Sequence, residues 1–142
     1  MLKLKEAKAL SEAVLTHGEP LKTNPLTVVV LDKGGHVLCV MRDENSGIMR
    51  YEVAYGKAWG ALGMGFGTRT FAQMAESSDK FQSFVKALGA SQGRVIPTQG
   101  GVLVRNQGGE LLGALGVSGD SSERDEACIL YAVQQMNWIP QP

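Results

Sequence analysis

The feature that most constrains this chain is a run of apolar, mostly β-branched residues at positions 26–31, followed at once by a turn sequence. The run is almost continuously apolar, whereas a strand with one face in water alternates apolar and polar side chains. Residues 32–35 read Asp-Lys-Gly-Gly, which predicts a tight turn, and residues 36–42 return as a second strand. The sequence therefore predicts a β-hairpin whose first strand is covered on both faces.

A second hairpin repeats this pattern. Residues 102–112 align without gaps with residues 28–38, and both turns end in Gly-Gly. We predict the second pair of strands at 101–105 and 110–118. The stretch 94–96 is either loop or one short additional strand. Because tight hairpins join antiparallel neighbours, the sequence predicts an antiparallel sheet rather than a parallel, doubly wound one.

Four helices are predicted from apolar residues that recur every three to four positions. They cover residues 3–17, 47–63, 79–88 and 121–137. The expected ends are Gly18, with Pro20 excluding continuation, and Gly89; the expected N-caps are Asn45 or Ser46, Ser78, and Asp120 or Ser122. Since the first strand needs cover on both faces, we predict one layered α+β domain over residues 1–142.

Charge and composition narrow the class of partner. Fourteen Lys and Arg residues balance fourteen Asp and Glu residues, and the charges are scattered, so neither nucleic acid nor an anionic membrane is an expected partner. The N-terminus lacks the apolar segment of a secretory signal, and we expect a cytoplasmic protein. Cys39, Cys128, His17 and His36 show no metal-ligand spacing, so no dedicated metal site is expected.

Glycine is the one unusual component, at 18 of 142 residues. Gly56 and Gly60 lie inside a predicted helix, and Gly113 and Gly116 lie inside a predicted strand. Glycine weakens both kinds of element unless another group approaches the backbone closely. We therefore expect close approach at these positions by a strand, a second subunit or a ligand.

Six segments in order along the chain carry a family resemblance. They are 28–38, Arg42-Asp43, Lys57-Ala58-Trp59, Gly100-Gly101-Val102, 112–120 and Asp125-Glu126. Together they resemble the GlcG/HbpS-like family, which includes the C-terminal domain of PduO-type proteins. The resemblance implies a profilin-like three-layer α/β/α domain with a five-stranded antiparallel sheet, and homo-oligomers from tetramers to octamers. Relatives include haem or tetrapyrrole binders, members of catabolic gene clusters and one protein that resembles a deaminase.

Our first functional hypothesis is that the chain binds a small anionic ligand, with haem or another tetrapyrrole as the candidate. Arg42 and Lys57 would meet carboxylates, and His17 or His36 would supply an axial nitrogen. Close backbone approach to the ligand is expected in the loops that flank the second hairpin. The residues concerned are Gly100, Gly101, Gly116, Ser118 and Gly119.

Two other hypotheses remain open. In the second, the chain is a cofactorless enzyme for deamination, tautomer or hydrolytic chemistry on a small unsaturated carboxylate. Lys57 or Asp125 would then be the catalytic proton carrier, and Arg42 would anchor the substrate. In the third, the chain is a purely structural oligomer, with His17 at a helix C-terminus, Lys57 on a polar face and Asp125 near a helix N-terminus.

Overall fold

The two predicted hairpins come together in one five-stranded antiparallel sheet. The computed structural model describes residues 1–92 and 94–142. Its strands are β1 (Thr27–Asp32), β2 (Val37–Arg42), β3 (Gly101–Arg105), β4 (Leu111–Ser118) and β5 (Ile139–Gln141). They pair in the order β2-β1-β4-β3-β5. The fifth strand is therefore β5, which pairs with β3, and the option of a strand at 94–96 is wrong.

Helices cover both faces of this sheet. They are α1 (Leu4–Leu21), α2 (Arg50–Met64), α3 (Thr68–Ser77), α4 (Asp79–Gln92) and α5 (Ser122–Gln135). α1 and α5 pack together on one face, α2 crosses the other, and α3 and α4 extend the α2 layer. The three-layer α+β architecture is as predicted. In the described ranges, no helix combines the length and the apolar character that crossing a lipid bilayer requires.

β1 confirms the prediction of a strand covered on both faces. Val28 and Val30 point into the apolar cluster formed with α1 and α5, whereas Val29 and Leu31 point into the cluster formed with α2. All four side chains are fully buried. Each contributes about 1.5–3 kcal/mol through burial, so the hairpin is held from both layers.

α1 runs past its predicted end at Gly18. It includes Pro20 and ends at Leu21, and Lys22 takes the left-handed conformation with φ 53°. Proline lacks an N–H, but in the last turn this removes only one helical hydrogen bond. Gly18 instead lies against the chain that follows the helix, since a Cβ there would lie 2.8 Å from Thr23 Oγ1 and 3.2 Å from Leu26 Cδ1.

The predicted N-caps of α2, Asn45 and Ser46, are wrong, since its N-cap is Met49. Ser46 has another partner. Its Oγ lies 2.8 Å from Thr27 Oγ1, and both side chains are buried. The hydroxyl therefore ties the loop before α2 to the start of β1.

Between α2 and β3 the structure has two helices, α3 and α4, whereas the sequence predicts one. α4 begins after Ser78, whose Oγ accepts a hydrogen bond from Phe81 N at 3.2 Å as predicted, but it passes the predicted end at Gly89. A Cβ at Gly89 would meet open space, and one helical glycine costs only about 1 kcal/mol. α3 is not predicted, although Phe71, Met74 and Ala75 recur at helical spacing, and Phe71 is its one fully buried apolar residue.

The N-cap of α5 lies one residue away from each of the two predicted caps, Asp120 and Ser122, which are therefore wrong. Its N-cap is Ser121, whose Oγ accepts a hydrogen bond from Arg124 N at 3.3 Å. The helix ends at Gln135, two residues before the predicted end. Acidic residues in its first turns then lie close to α2 and α3, where the candidate site is found.

Candidate functional site

α2 lies close to the sheet because glycines of β3 and β4 face it. A Cβ on Gly116 would overlap the backbone oxygen of Ala54, and a Cβ on Gly101 would overlap that of Lys57. On the opposite side of the helix, a Cβ on Gly56 would lie 2.6 Å from Ile96 Cγ1. α2 is thus enclosed between the sheet and the segment 94–96. The close approach expected at these glycines comes from the chain itself, and ligand contact at Gly101 and Gly116 stays a prediction.

The enclosed helix carries a buried ion pair between the two predicted catalytic residues. Lys57 Nζ lies 3.2 Å from Asp125 Oδ2, and it also donates a hydrogen bond to Val117 O at 2.9 Å. The two side chains are only 3% and 2% exposed. The sequence singled out both residues, and the structure brings them together.

Gly100 and Asp120 lie directly beside this buried pair. Gly100 has φ +110°, and a Cβ there would lie 2.9 Å from Lys57 Nζ. A side chain at position 100 would therefore be both strained and too close to the ammonium group. Asp125 Oδ1 accepts a hydrogen bond from Asp120 N at 3.0 Å, so both oxygens of the buried carboxylate have partners.

Burial dominates the electrostatics of the pair. Desolvation lowers the pKa of Lys57, and the nearby Asp125 carboxylate opposes this shift. Desolvation likewise raises the pKa of Asp125, and Lys57 opposes that shift. The Arg50 guanidinium lowers the pKa of Lys57 further. Burial and the Asp125 charge also raise the pKa of the Cys128 thiol to about 11. The pair is almost fully buried, and the transfer of a single proton from Lys57 to Asp125 separates the ionised pair from the neutral one.

Arg50 is a site residue that sequence reasoning missed. Its Nη1 donates a hydrogen bond at 3.2 Å to Ser118 Oγ, and Ser118 is 1% exposed. Arg50 is the first residue of α2 and lies two helical turns before Lys57, hence on the same side of the helix. The spacing of Arg50 and Lys57 along the helix is the sequence signal that indicates a site role for Arg50. The structure therefore places Ser118, a predicted ligand residue, against a guanidinium group beside the buried pair.

A second charged cluster lies at the start of α3. Arg69 Nε and Nη2 donate to the Glu126 carboxylate at 3.0 and 2.9 Å in a bidentate arrangement. Gln99 Nε2 donates to the same carboxylate at 2.8 Å. Arg69 and Gln99 were not predicted, because nothing local in the sequence indicates that α3 packs against the start of α5.

Gly119 and Arg42 lie near the beginning of β1. Gly119 has φ +147°, and a Cβ there would overlap Pro25 O, so its close contact is again with the chain itself. Arg42 Nη1 donates to Glu44 O at 3.2 Å and to Ser46 O at 2.7 Å. It borders a mixed-charge cavity of about 380 Å³. Among the described residues, no hydrogen bond or ion pair joins Arg42 to Lys57.

The two histidines lie on different elements. His17, near the end of α1, stacks on Tyr131 of α5 with ring centroids 4.0 Å apart and planes 9° apart. His36 follows the β1–β2 turn, and its side chain is 82% exposed. No group of three or more potential metal ligands occurs among the residues that the structure describes. Each imidazole is therefore a separate candidate for a ligand nitrogen.

His36 is held by a carboxylate. Its Nδ1 lies 3.3 Å from Asp32 Oδ1, which also accepts hydrogen bonds from Gly34 N and His36 N. Burial alone would raise the pKa of Asp32, but these backbone and imidazole hydrogen bonds lower it overall. Because Nδ1 faces the carboxylate, Nε2 is left on the exposed side of the ring.

A small cavity lies beside the same turn. It measures about 220 Å³ and is lined by Lys33, the two turn glycines, Trp59, Leu62 and Gly63. A Cβ on Gly35 would lie 3.6 Å from Trp59 Nε1, so the indole packs directly against the turn backbone. The turn thus brings the Lys33 ammonium group and the His36 imidazole close to the Trp59 indole of α2.

The sequence profile of the family described as "Haem degrading protein HbpS-like" matches residues 2–134 of this chain. Among curated proteins, the corrinoid adenosyltransferase PduO of Citrobacter freundii is 26% identical over 136 residues, which are 96% of this chain. The match spans only 39% of that relative, about two fifths of its length.

Solved structures share the fold. A PduOC:heme complex superposes with a TM-score of 0.86 at 24% identity, covering 99% of both chains. The Klebsiella pneumoniae protein ORFY gives 0.83 at 23% identity, covering 96% of this chain and 90% of its own. HbpS gives 0.77 at 24% identity, with coverages of 95% and 89%. At these identities the likeness establishes the shared fold alone.

Proposed function

The chain belongs to the HbpS-like family, and on that premise we propose that it binds haem or a related tetrapyrrole through an imidazole nitrogen. Support comes from the solved PduOC:heme complex, which has the same fold, and from the geometry at His36. When bound, haem would supply an iron centre, and an imidazole of this chain would hold it through one ring nitrogen.

The contact between His36 Nδ1 and Asp32 carries this proposal. Histidines that ligate metals almost always donate their other ring N–H to a carboxylate, a backbone carbonyl or water, which fixes the tautomer and raises the basicity of the ligating nitrogen. Asp32 lies 3.3 Å from Nδ1 in this arrangement, and the imidazole is 82% exposed. The residues present therefore fit an axial ligand, with Nε2 as the ligating atom.

His17 is the competing donor. Its ring stacks on Tyr131, which orients the imidazole plane but provides no carboxylate to fix a tautomer. We place His36 first for this reason. The two positions lie on different elements, so single variants separate them.

Titration of the purified protein with haemin tests the proposal. We expect a saturable Soret shift in the wild type, a loss of affinity of at least tenfold in His36→Ala, and an unchanged titration in the matched variant His17→Ala. Asp32→Asn should weaken binding by about tenfold or more, because removing a group that hydrogen-bonds to a metal-ligating histidine typically costs that much affinity. Absence of any Soret shift in the wild type would overturn the proposal. A shift lost only in His17→Ala would move the axial ligand to α1.

The Lys57–Asp125 pair favours a second candidate function, which is cofactorless proton transfer on a small unsaturated carboxylate. An ammonium group and a carboxylate 3.2 Å apart in a dry site can exchange a proton. Neither side chain lines any of the five cavities measured on the described surface, so we place this function second. Turnover of such acids, lost in Lys57→Met while the variant stays folded, would support it, and wild-type inactivity would overturn it.

We also propose that the chain assembles with copies of itself. β2 lies at one edge of the sheet and leaves Val37 and Val40 exposed, and the following loop exposes Ile48 and Met49. Exposed apolar residues along a sheet edge are typical of an interface. Sedimentation velocity gives the subunit count, and a monomer at all concentrations would contradict this assembly.

A further inference from the structure

An apolar groove of about 320 Å³ opens between α2, α4 and the segment that follows α4. Its lining includes Trp59, Gly60, Gly63, Met64, Phe84 and Val95. It shares Trp59 and Gly63 with the 220 Å³ cavity beside the β1–β2 turn. The indole is thus a common wall of two adjoining spaces, one apolar and the other bordered by Lys33.

Glycine makes one side of this groove flat. Gly60 and Gly63 are three residues apart on α2 and therefore lie on the same side of the helix, but Val95 covers Gly60, since a Cβ there would lie 3.4 Å from Val95 Cγ1. A Cβ on Gly63 would have nothing within 4 Å, so the space in front of it is open. The bare backbone at Gly63, beside the Trp59 indole, gives a glycine floor with an aromatic wall, which suits a planar ring better than a branched aliphatic group.

Two cations lie near the indole. The Arg94 guanidinium carbon is 5.7 Å from the Trp59 ring centroid, at the outer limit of a cation–π contact. Lys33 faces Glu110 at 3.9 Å, with both side chains more than half exposed, so that pair is weak. Both cations are available to an anionic ligand, and charge complementarity therefore favours a ring that carries carboxylates.

We infer that the groove beside Trp59 seats a flat tetrapyrrole ring by its faces and its carboxylates, independently of any iron. The inference rests on the proposed function, since it names the surface that holds the ring next to the His36 turn. Trp59 and the glycine floor contact the ring, and Arg94 and Lys33 neutralise its acid groups. Because none of these contacts involves iron, an iron-free ring should bind as well.

Iron-free protoporphyrin IX is the probe, and the intrinsic fluorescence of Trp59 is the readout. The chain has two tryptophans, so a Trp138→Phe background leaves Trp59 as the sole emitter. We expect saturable quenching in this background. Gly63→Leu, which fills the open floor, should weaken binding at least tenfold. The matched control Gly89→Leu also places a leucine in open space on a helix, but outside the groove, and should change affinity less than twofold.

The contributions of the two cationic side chains and of the iron are tested with separate variants. Arg94→Gln and Lys33→Gln should each weaken protoporphyrin binding several-fold at low salt and less at high salt. His36→Ala should weaken haemin binding more than protoporphyrin binding, because only the iron-bearing ring would use the imidazole nitrogen. Phe84→Ser, at a wall residue that is 48% exposed, provides a second groove variant should Gly63→Leu not fold.

The possible failures are distinguishable. Protoporphyrin binding that is equal in Gly63→Leu, Phe84→Ser and Gly89→Leu would overturn the groove. Haemin binding that depends on His36, together with no protoporphyrin binding, would also overturn the groove but leave the proposed function standing. Failure of both rings to bind would overturn the two together.

Discussion

Two neighbouring residues of α5, Asp125 and Glu126, each form an ion pair, and the basic partners of the two pairs differ in burial. Asp125 contacts Lys57 at 3.2 Å, and both side chains are almost fully buried. Glu126 receives a bidentate contact from Arg69, whose side chain remains 39% exposed. Adjacent helical residues point about 100° apart, so one carboxylate reaches α2 and the other reaches α3.

From this difference we expect the burial of the basic partner to determine how much stability is lost when one member of the pair is removed. Removing both Lys57 and Asp125 from water is expensive, and one contact offsets this cost only if other bonds complete the site. Arg69 keeps part of its hydration and offers a planar fork that matches the carboxylate of Glu126. The first pair is therefore sensitive to losing either member, whereas the second tolerates partial loss.

The largest expected effect is that of Lys57→Met, which leaves Asp125 buried without its cation. Breaking a buried pair on one side costs about 3–5 kcal/mol. We expect the free energy of unfolding, measured with urea, to fall by that amount. The control Lys57→Met with Asp125→Leu removes both charges and should recover much of the loss. A cost below about 1 kcal/mol in the single variant would show that water reaches the pair.

Glu126→Gln should have a smaller effect. The amide keeps one acceptor for Arg69 but loses the charge, and a hydrogen bond to a charged group contributes about 1.5–3 kcal/mol. Because Arg69 is partly exposed, we expect a loss near the lower end, about 1.5 kcal/mol, in the same urea experiment. A loss equal to that of Lys57→Met would contradict the distinction between the two pairs.

The smallest effect is a pH dependence at Asp125. Burial raises its pKa in the folded chain above the ordinary 3.8, so between the two pKa values the folded state binds more protons than the unfolded state. The contribution of this group to stability therefore rises as the pH falls. The advantage of the wild type over Asp125→Asn should grow on acidification from about pH 6 to about pH 4. An ordinary salt-bridged carboxylate, with a lowered pKa, would give the opposite trend.

The predicted fold was largely right because hairpins and amphipathic helices leave local signals. The apolar run at 26–31 and the two Gly-Gly turns predict four of the strands, and the spacing of apolar residues predicts four of the helices. β5 is missed because it has no period of its own, whereas α3 is missed although Phe71, Met74 and Ala75 recur at helical spacing. β5 is three residues long and contains a proline, and it forms only because β3 offers an edge.

The candidate site was only partly predictable. Lys57 and Asp125 were singled out, but their pairing joins residues 68 positions apart. His36 was named as a possible axial ligand, whereas its contact with Asp32 depends on how the turn folds back. Arg50, Arg69 and the groove beside Trp59 were absent from the prediction, because each depends on how separate elements pack.

The sequence by itself determined the layered sheet, since the alternation of side chains and the turn glycines act over a few residues. Only the tertiary structure decided whether the side chain of Lys57 is solvated or buried. Its position off the apolar stripe of α2 allowed a solvated lysine, but α2 is enclosed on one side by Gly101 and Gly116 and on the other by residues 94–96. A helix covered on two sides has little polar face left, so a charge there must find a buried partner.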